Sequence, residues 1–120
     1  MTFHALLVSK DEKATAVLTP LLNRCGVDVA VCGYPEASCR LTEEQFDTVI
    51  VDFDDPHRAS LVLQGASPAA PGITAVIVAL LSDKTKVRSV FGAGANFILY
   101  KPISDEQAEA RFLEYREGVR

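Results

Sequence analysis

One stretch near the middle of the chain limits the possible fold more than any other. Residues 48–51 are four consecutive β-branched residues, which predicts a strand with no polar face. Strands of this kind lie in the middle of parallel sheets, with helices on both sides. Three aspartates follow within four positions, Asp52, Asp54 and Asp55. Because doubly wound folds bind ligands at the carboxyl ends of their strands, we expect any functional site to include Asp52.

The rest of the chain alternates between apolar runs and amphipathic segments. The apolar runs predict strands over 3–8, 27–32, 48–51, 75–81 and 96–100. The amphipathic segments predict helices over 11–25, 35–45, 57–64, 83–91 and 105–117. Short connections and right-handed crossovers turn this order into a three-layer α/β sandwich with five strands and five helices.

The helix ends carry their own signals. Ser9 is the predicted N-cap of the first helix, and the acidic residues Asp11 and Glu12 suit its positive start. Gly26 is expected just past its end. Ser82 or Asp83 is the predicted N-cap of the fourth helix, whose apolar side, Val87, Val90 and Phe91, is expected to face the sheet.

Composition excludes several classes of function. The 120 residues predict one domain, 1–120, and 12 scattered basic residues with a net charge of −4 disfavour nucleic-acid binding. No apolar run has the length of a membrane span, and the start lacks a signal peptide, which predicts a cytoplasmic protein. Three cysteines at C-x6-C-x6-C spacing match no zinc or redox motif and predict buried or half-buried thiols in a reducing compartment.

Three motifs resemble the receiver domain of two-component response regulators, and the resemblance covers essentially the whole chain. Asp52 with Pro56 matches the phosphoacceptor aspartate and the proline four residues later. The segment 91–96 matches the glycine-alanine corner before the fifth strand, and Lys101-Pro102 matches the Lys-Pro pair of the family. The resemblance implies a flavodoxin-like (CheY-like) fold with a parallel sheet of order 2-1-3-4-5.

The sequence departs from the receiver pattern where the family binds Mg²⁺ and switches. The acidic pair after the first strand is replaced by Ser9 and Lys10, and a lysine repels a divalent cation that needs oxygen ligands. The switch Thr or Ser at the end of the fourth strand falls on Ala79, and the switch aromatic residue falls on Ile98. The chain therefore resembles a degenerate receiver, or pseudo-receiver, without metal or other cofactor.

An alternative keeps the metal. A shift of one or two residues after the first strand brings Asp11 toward the site, and Mg²⁺ is then held by Asp11, Asp52 and Asp54, with Asp52 accepting a phosphoryl group. A separate resemblance connects the segment 94–102 with N-terminal segments that precede PilZ (cyclic-di-GMP-binding) domains in some bacteria.

Three functions follow as hypotheses. The first is a non-enzymatic signalling or interaction module, since no nucleophile–base pair is evident. The second is a phosphorylatable receiver, and the third is a flavodoxin-like binder of a small ligand, although residues 9–12 do not form a phosphate-binding loop. Expected partners are a C-terminal output domain, a histidine kinase, or a second copy of the chain.

A homodimer is expected through the face formed by helix 4, strand 5 and helix 5, because the two helices carry opposite charges. The basic residues are Lys84, Lys86 and Arg88. The acidic residues are Asp105, Glu106, Glu109, Glu114 and Glu117.

The most specific prediction concerns the charges beside Asp52. Strands one, three and five end at the same edge of the sheet, so Lys10 and Lys101 are expected to flank Asp52 and to take the place of the metal. Without a cation the crowded carboxylates would repel one another.

Overall fold

The computed structural model describes residues 3–43, 46–66 and 76–101. Its strands are β1 (Phe3–Val8), β2 (Val27–Cys32), β3 (Thr48–Asp52), β4 (Val76–Leu81) and β5 (Phe97–Tyr100). Its α-helices are α1 (Glu12–Arg24), α2 (Tyr34–Glu43), α3 (Pro56–Ala66) and α4 (Val87–Gly92), and a 3-10 turn, Lys84–Lys86, precedes α4. The predicted fifth helix, 105–117, lies outside the described residues.

The five strands form one parallel sheet of order β2-β1-β3-β4-β5, which confirms the predicted flavodoxin-like topology. β3 lies at the centre, and every residue from Thr48 to Asp52 is buried. The strands end close together: Val8 is level with Val51, and Asp52 is level with Leu80. This register brings the residues that follow β1, β3, β4 and β5 to the same edge of the sheet.

Alternate residues of the strands pack on opposite sides of the sheet, as the pleat requires. One side holds Leu6, Val8, Val49, Val51, Ala79, Leu81 and Ile98, covered by side chains of α2, α3 and α4. The other side holds Ala5, Leu7, Ile50, Val78, Leu80 and Leu99, covered by α1. The two apolar layers explain why β3 has no polar face.

The start of α1 differs from the prediction. Its N-cap is Asp11, whose Oδ1 accepts hydrogen bonds from the amides of Lys13 at 3.0 Å and Ala14 at 3.3 Å. Ser9 is not the cap, because its hydroxyl accepts a hydrogen bond from the Asp11 amide and donates one to Asp52 Oδ2 at the end of β3. The helix end is as predicted, since Gly26 follows it with a φ of 80°.

The segment before β5 also differs in part. α4 has six residues and follows a 3-10 turn that is capped by Asp83. Val90 is buried, whereas the Phe91 side chain is 46% exposed, so the prediction that Phe91 faces the sheet is wrong. A helix of fewer than two turns places only a narrow strip of side chains against the sheet.

Two further predictions concern the chain as a whole. The three cysteines are thiols, and Cys25 and Cys32 are partly buried as predicted, whereas Cys39 is exposed on α2, so the prediction of its burial is wrong. Among the described helices, none combines the length and the apolar character that a membrane crossing requires.

Candidate functional site

The candidate site lies at the carboxyl edge of the sheet and is centred on Asp52, the last residue of β3. Asp52 is a buried carboxylate, and Ser9 and Lys101 directly follow β1 and β5 on either side of it. Asp54 lies in the turn between β3 and α3, and Asp11 lies at the start of α1. The parallel register therefore brings together residues from three separate segments of the chain, which follow β1, β3 and β5.

The Lys101 ammonium binds three carboxylates at once. Its Nζ lies 2.6 Å from Asp52 Oδ2, 2.8 Å from Asp54 Oδ2 and 3.0 Å from Asp11 Oδ2. An ammonium group has three N–H donors, so one carboxylate is available for each. With its side chain only 10% exposed, Lys101 is a largely buried cation that joins β5, β3 and the start of α1.

Asp52 accepts hydrogen bonds with both carboxylate oxygens and with its backbone carbonyl. Oδ2 accepts from Ser9 Oγ at 2.9 Å in addition to Lys101, and Oδ1 accepts from the amide of Asp54 at 2.9 Å. Its carbonyl oxygen accepts from the hydroxyl of Tyr34, the first residue of α2, at 2.6 Å. Asp52 is thus held by hydrogen bonds from three sides, which fixes its position at the end of β3.

Asp54 is anchored to the end of β4. Its Oδ1 accepts from the Ser82 amide at 3.0 Å, and its Oδ2 accepts from the Ser82 hydroxyl at 2.8 Å. Ser82 is the first residue after β4. Asp54 therefore connects the turn after β3 with the turn after β4, and its Oδ2 also binds Lys101.

The charges of the site stabilise one another. The hydrogen bond from Lys101 lowers the pKa of Asp11, and burial raises the pKa of Asp54 less than the hydrogen bonds from Lys101 and Ser82 lower it. For Lys101, burial favours the neutral amine, but the hydrogen bonds to its three aspartates outweigh burial and raise its pKa. At neutral pH the ammonium and the carboxylates of Asp11 and Asp54 are all charged.

Lys10 does not take part in this cluster. It is exposed at a bend between β1 and α1, and Lys101 is the only lysine of the described ranges that forms an ion pair with Asp52. The prediction that Lys10 flanks Asp52 is therefore wrong. The chain turns so that its neighbours Ser9 and Asp11 face the site, which leaves the residue between them on the solvent side.

The carboxylates of the alternative metal set are brought together, but around the ammonium. Asp11, Asp52 and Asp54 each contact Lys101 Nζ. Within the part of the chain that the structure describes, no three His, Cys, Asp or Glu side chains are arranged to hold a metal ion. These residues could offer Mg²⁺ suitable oxygen ligands only if Lys101 moved away.

The two positions matched to the receiver switch lie in the core. Ala79 and Ile98 are buried and are level with each other in β4 and β5. β4 continues two residues beyond Ala79 to Leu81. Ala79 therefore lies within the strand and not at its end, where receivers have the switch residue. The hydroxyl found at that end belongs to Ser82.

Sequence reasoning missed two residues of the site. The sequence predicts Ser82 only as a possible helix cap, although its place directly after an apolar strand is a usable signal. Tyr34 has no such signal, because an aromatic residue at the start of a helix is ordinarily part of the core. The carbonyl that accepts the Tyr34 hydroxyl hydrogen, that of Asp52, is 18 residues away in sequence.

Comparisons with known proteins agree with the fold. No protein-family model and no curated protein matches the chain. Solved structures do match, among them a CheY-like receiver domain from Methylobacillus flagellatus, with 18% identity, full coverage of both chains and a TM-score of 0.83. The chemotaxis response regulator CheY4 of Vibrio cholerae matches with 18% identity, full coverage of both chains and a TM-score of 0.81.

A third similar structure contains a metal ion of its own. It is the receiver domain of a sensor histidine kinase from Pseudomonas aeruginosa, which was solved with a magnesium ion coordinated in its active-site cleft. Its identity is 20%, its TM-score is 0.76, and the match covers 96% of this chain and 97% of that one. Likeness at this identity shows the fold alone, so the chain has the fold of CheY-like receiver domains.

Proposed function

We propose that the chain is a non-enzymatic, receiver-like signalling module that does not switch through Mg²⁺-dependent phosphorylation of Asp52. The observation that supports this function most strongly is the Lys101 ammonium, within 3.0 Å of three carboxylates. A covalently attached cation stands among the carboxylates that a divalent metal would need. The module is then held in one state, and it acts through its surfaces.

The chemistry of phosphoryl transfer supports the same conclusion. A metal ion ordinarily neutralises the charge that develops on the transferred group. Here the residues after β1 are Ser9 and Lys10, and both Asp52 oxygens are already hydrogen bonded. A phosphoryl group on Asp52 would add negative charge directly beside Asp54 without a mobile cation to offset it.

The second candidate is a phosphorylatable receiver. The observation in its favour is that Asp11, Asp52 and Asp54 converge on one point at the carboxyl edge of the sheet. If Lys101 swings out, the three carboxylates are the residues that would hold Mg²⁺, and Asp52 would be the phosphoacceptor. This candidate is therefore separated from the first by whether Mg²⁺ displaces Lys101.

Phosphorylation of the purified chain separates the two candidates. The protein is incubated with acetyl phosphate and Mg²⁺, and its intact mass is measured, with Asp52→Asn as the matched control. We expect no added phosphoryl group. A stable mass increase of one phosphoryl group, present in the parent and lost in Asp52→Asn, would establish the second candidate instead.

The partners proposed for such a module are an attached output domain, of which a PilZ domain is one candidate, or a histidine kinase, and a second copy of the chain. Lys84, Lys86 and Arg88 are exposed before and within α4, which supports a surface for the acidic segment 105–117 of a second copy. A weak dimer of this kind weakens with salt, which screens its charges. Sedimentation velocity of the concentrated protein at low and high salt tests it, and a monomer at low salt would contradict it.

A further inference from the structure

A groove of about 430 Å³ lies between α2 and α3. Its lining residues are Tyr34, Pro35, Arg58, Leu61 and Val62. Apart from the Tyr34 hydroxyl and the Arg58 guanidinium, these residues offer apolar surface. The groove is separate from the face of α4 and β5 that carries the basic residues described above.

Leu61 gives the groove an exposed apolar rim. Its side chain is 52% exposed on α3, whereas the next residue, Val62, is buried. Pro35, on the α2 side of the groove, is exposed as well, so both helices offer apolar surface that a partner can cover. Burial of a leucine side chain stabilises a complex through the hydrophobic effect, so Leu61 can contribute directly to binding.

Among the described residues that line the groove, Arg58 is the only charged one, and it is available to a partner. Its Nε lies 3.5 Å from Asp55 Oδ2, but both side chains are nearly half exposed. Such surface ion pairs contribute little to stability, so the pair does not hold the guanidinium in place. A guanidinium has five N–H donors, which leaves donors for a second carboxylate.

Tyr34 connects the groove to the carboxylate cluster. Its side chain is buried, forms part of the groove wall, and donates its hydroxyl hydrogen to the Asp52 carbonyl at 2.6 Å. Burial, with the negative charge of Asp52, raises the pKa of the Tyr34 hydroxyl, so it stays a donor. A molecule that moves Tyr34 from within the groove therefore also acts on the backbone of Asp52.

We propose that the groove between α2 and α3 docks a helical segment of a partner protein that presents leucine-like side chains beside one carboxylate. The apolar side chains of that helix pack against Leu61 and Pro35, which are exposed, and its carboxylate pairs with Arg58. An apolar groove between two helices, with one arginine among its described lining residues, suits this mode, in which side chains one turn apart anchor an amphipathic helix. Docking is transmitted to Asp52 through Tyr34 and needs no phosphorylation, so the proposal stands apart from the function proposed above.

Two synthetic helical peptides test the proposal by NMR titration of the isotope-labelled full chain. Both peptides carry leucines one helical turn apart. The residue between the leucines is glutamate in one peptide and lysine in the other. We expect the glutamate peptide to shift the signals of Leu61, Val62 and Tyr34, and to bind roughly three- to tenfold more tightly than the lysine peptide. Arg58→Glu should reverse this preference, whereas the matched control Arg88→Glu, an exposed arginine on α4, should not.

The connection to Asp52 has its own readout. In the parent, the glutamate peptide should also shift the backbone signals of Asp52, and Tyr34→Phe should abolish that shift while binding at Leu61 persists. Equal binding of both peptides, or shifts confined to α4, would overturn the proposal. If Arg58→Glu or Leu61→Asp instead changes the sedimentation coefficient of the chain alone, the groove is occupied by a second copy, and the proposal of a partner helix is wrong.

Discussion

Replacing Lys101 by Met tests the central feature of the site, because Met keeps most of the length of the side chain and removes only the ammonium. The substitution leaves Asp52, Asp54 and Asp11 facing one another without the cation that all three contact. Repulsion among them, together with the lost hydrogen bonds, should destabilise the folded state.

The size of the loss of stability in Lys101→Met follows from how deeply each partner of the ammonium is buried. Lys101 and Asp52 are 10% and 5% exposed, so this pair is the buried one, while Asp11 and Asp54 are 33% and 39% exposed and remain partly solvated. Breaking a buried pair by removing one partner costs about 3–5 kcal/mol, and we take the lower value, about 3 kcal/mol. For a domain of this size that corresponds to a fall in Tm of roughly 10–18 °C.

Urea unfolding followed by circular dichroism measures this loss, with Lys10→Met as the matched control. Lys10 is exposed at the same edge of the sheet, so its replacement should change the free energy of unfolding by less than about 0.5 kcal/mol. Asp52→Asn in the Lys101→Met background should recover part of the loss, because it removes one of the repelling charges.

Mg²⁺ provides a second readout. If Lys101 takes the place of a divalent cation, millimolar Mg²⁺ should raise the Tm of Lys101→Met by mass action and leave the parent unchanged. The reasoning is refuted if Lys101→Met costs no more than Lys10→Met, or if Mg²⁺ stabilises the parent as much as the variant. Either result would mean that the ammonium does not hold the cluster together.

Three other predictions concern stability. Asp11 and Asp54 have lowered pKa values, so their contribution to the free energy of unfolding is complete above the ordinary pKa of 3.8 and is lost as the pH falls further. Lys101 has a raised pKa, so its contribution is complete below the ordinary pKa of 10.5 and is lost as the pH rises further. Urea midpoints across the pH range should therefore form a plateau between these limits, and a midpoint that falls steadily across it would contradict this. Ile50→Ala, in the centre of the sheet, should cost about 2–5 kcal/mol in the same assay, and a cost below about 1 kcal/mol would show that Ile50 is not packed as described. Gly94→Ala should cost about 1–2 kcal/mol because Gly94 has a φ of 117°, and no loss would show that this conformation is not required.

The sequence by itself determined the architecture and the identity of the two central charged residues. Four consecutive β-branched residues, 48–51, have no polar face, so they could only form a strand covered on both sides. Asp52 ends the apolar strand β3 and Lys101 directly follows the apolar strand β5, and in a parallel sheet such residues meet at one edge. Periodicity and chain order predicted the layered α/β architecture and the importance of Asp52, whereas the sheet order and the choice of Lys101 came from the resemblance to receiver domains.

The tertiary structure alone decided which neighbours Asp52 has. Ser9, Lys10 and Asp11 are consecutive, but only the first and third face the site, because side-chain direction in a loop depends on backbone dihedral angles and not on residue type. The same holds for Tyr34, whose hydroxyl reaches a carbonyl 18 residues away only after α2 has packed against the sheet. Contacts between separate elements depend on how those elements pack, and local sequence carries little information about that packing.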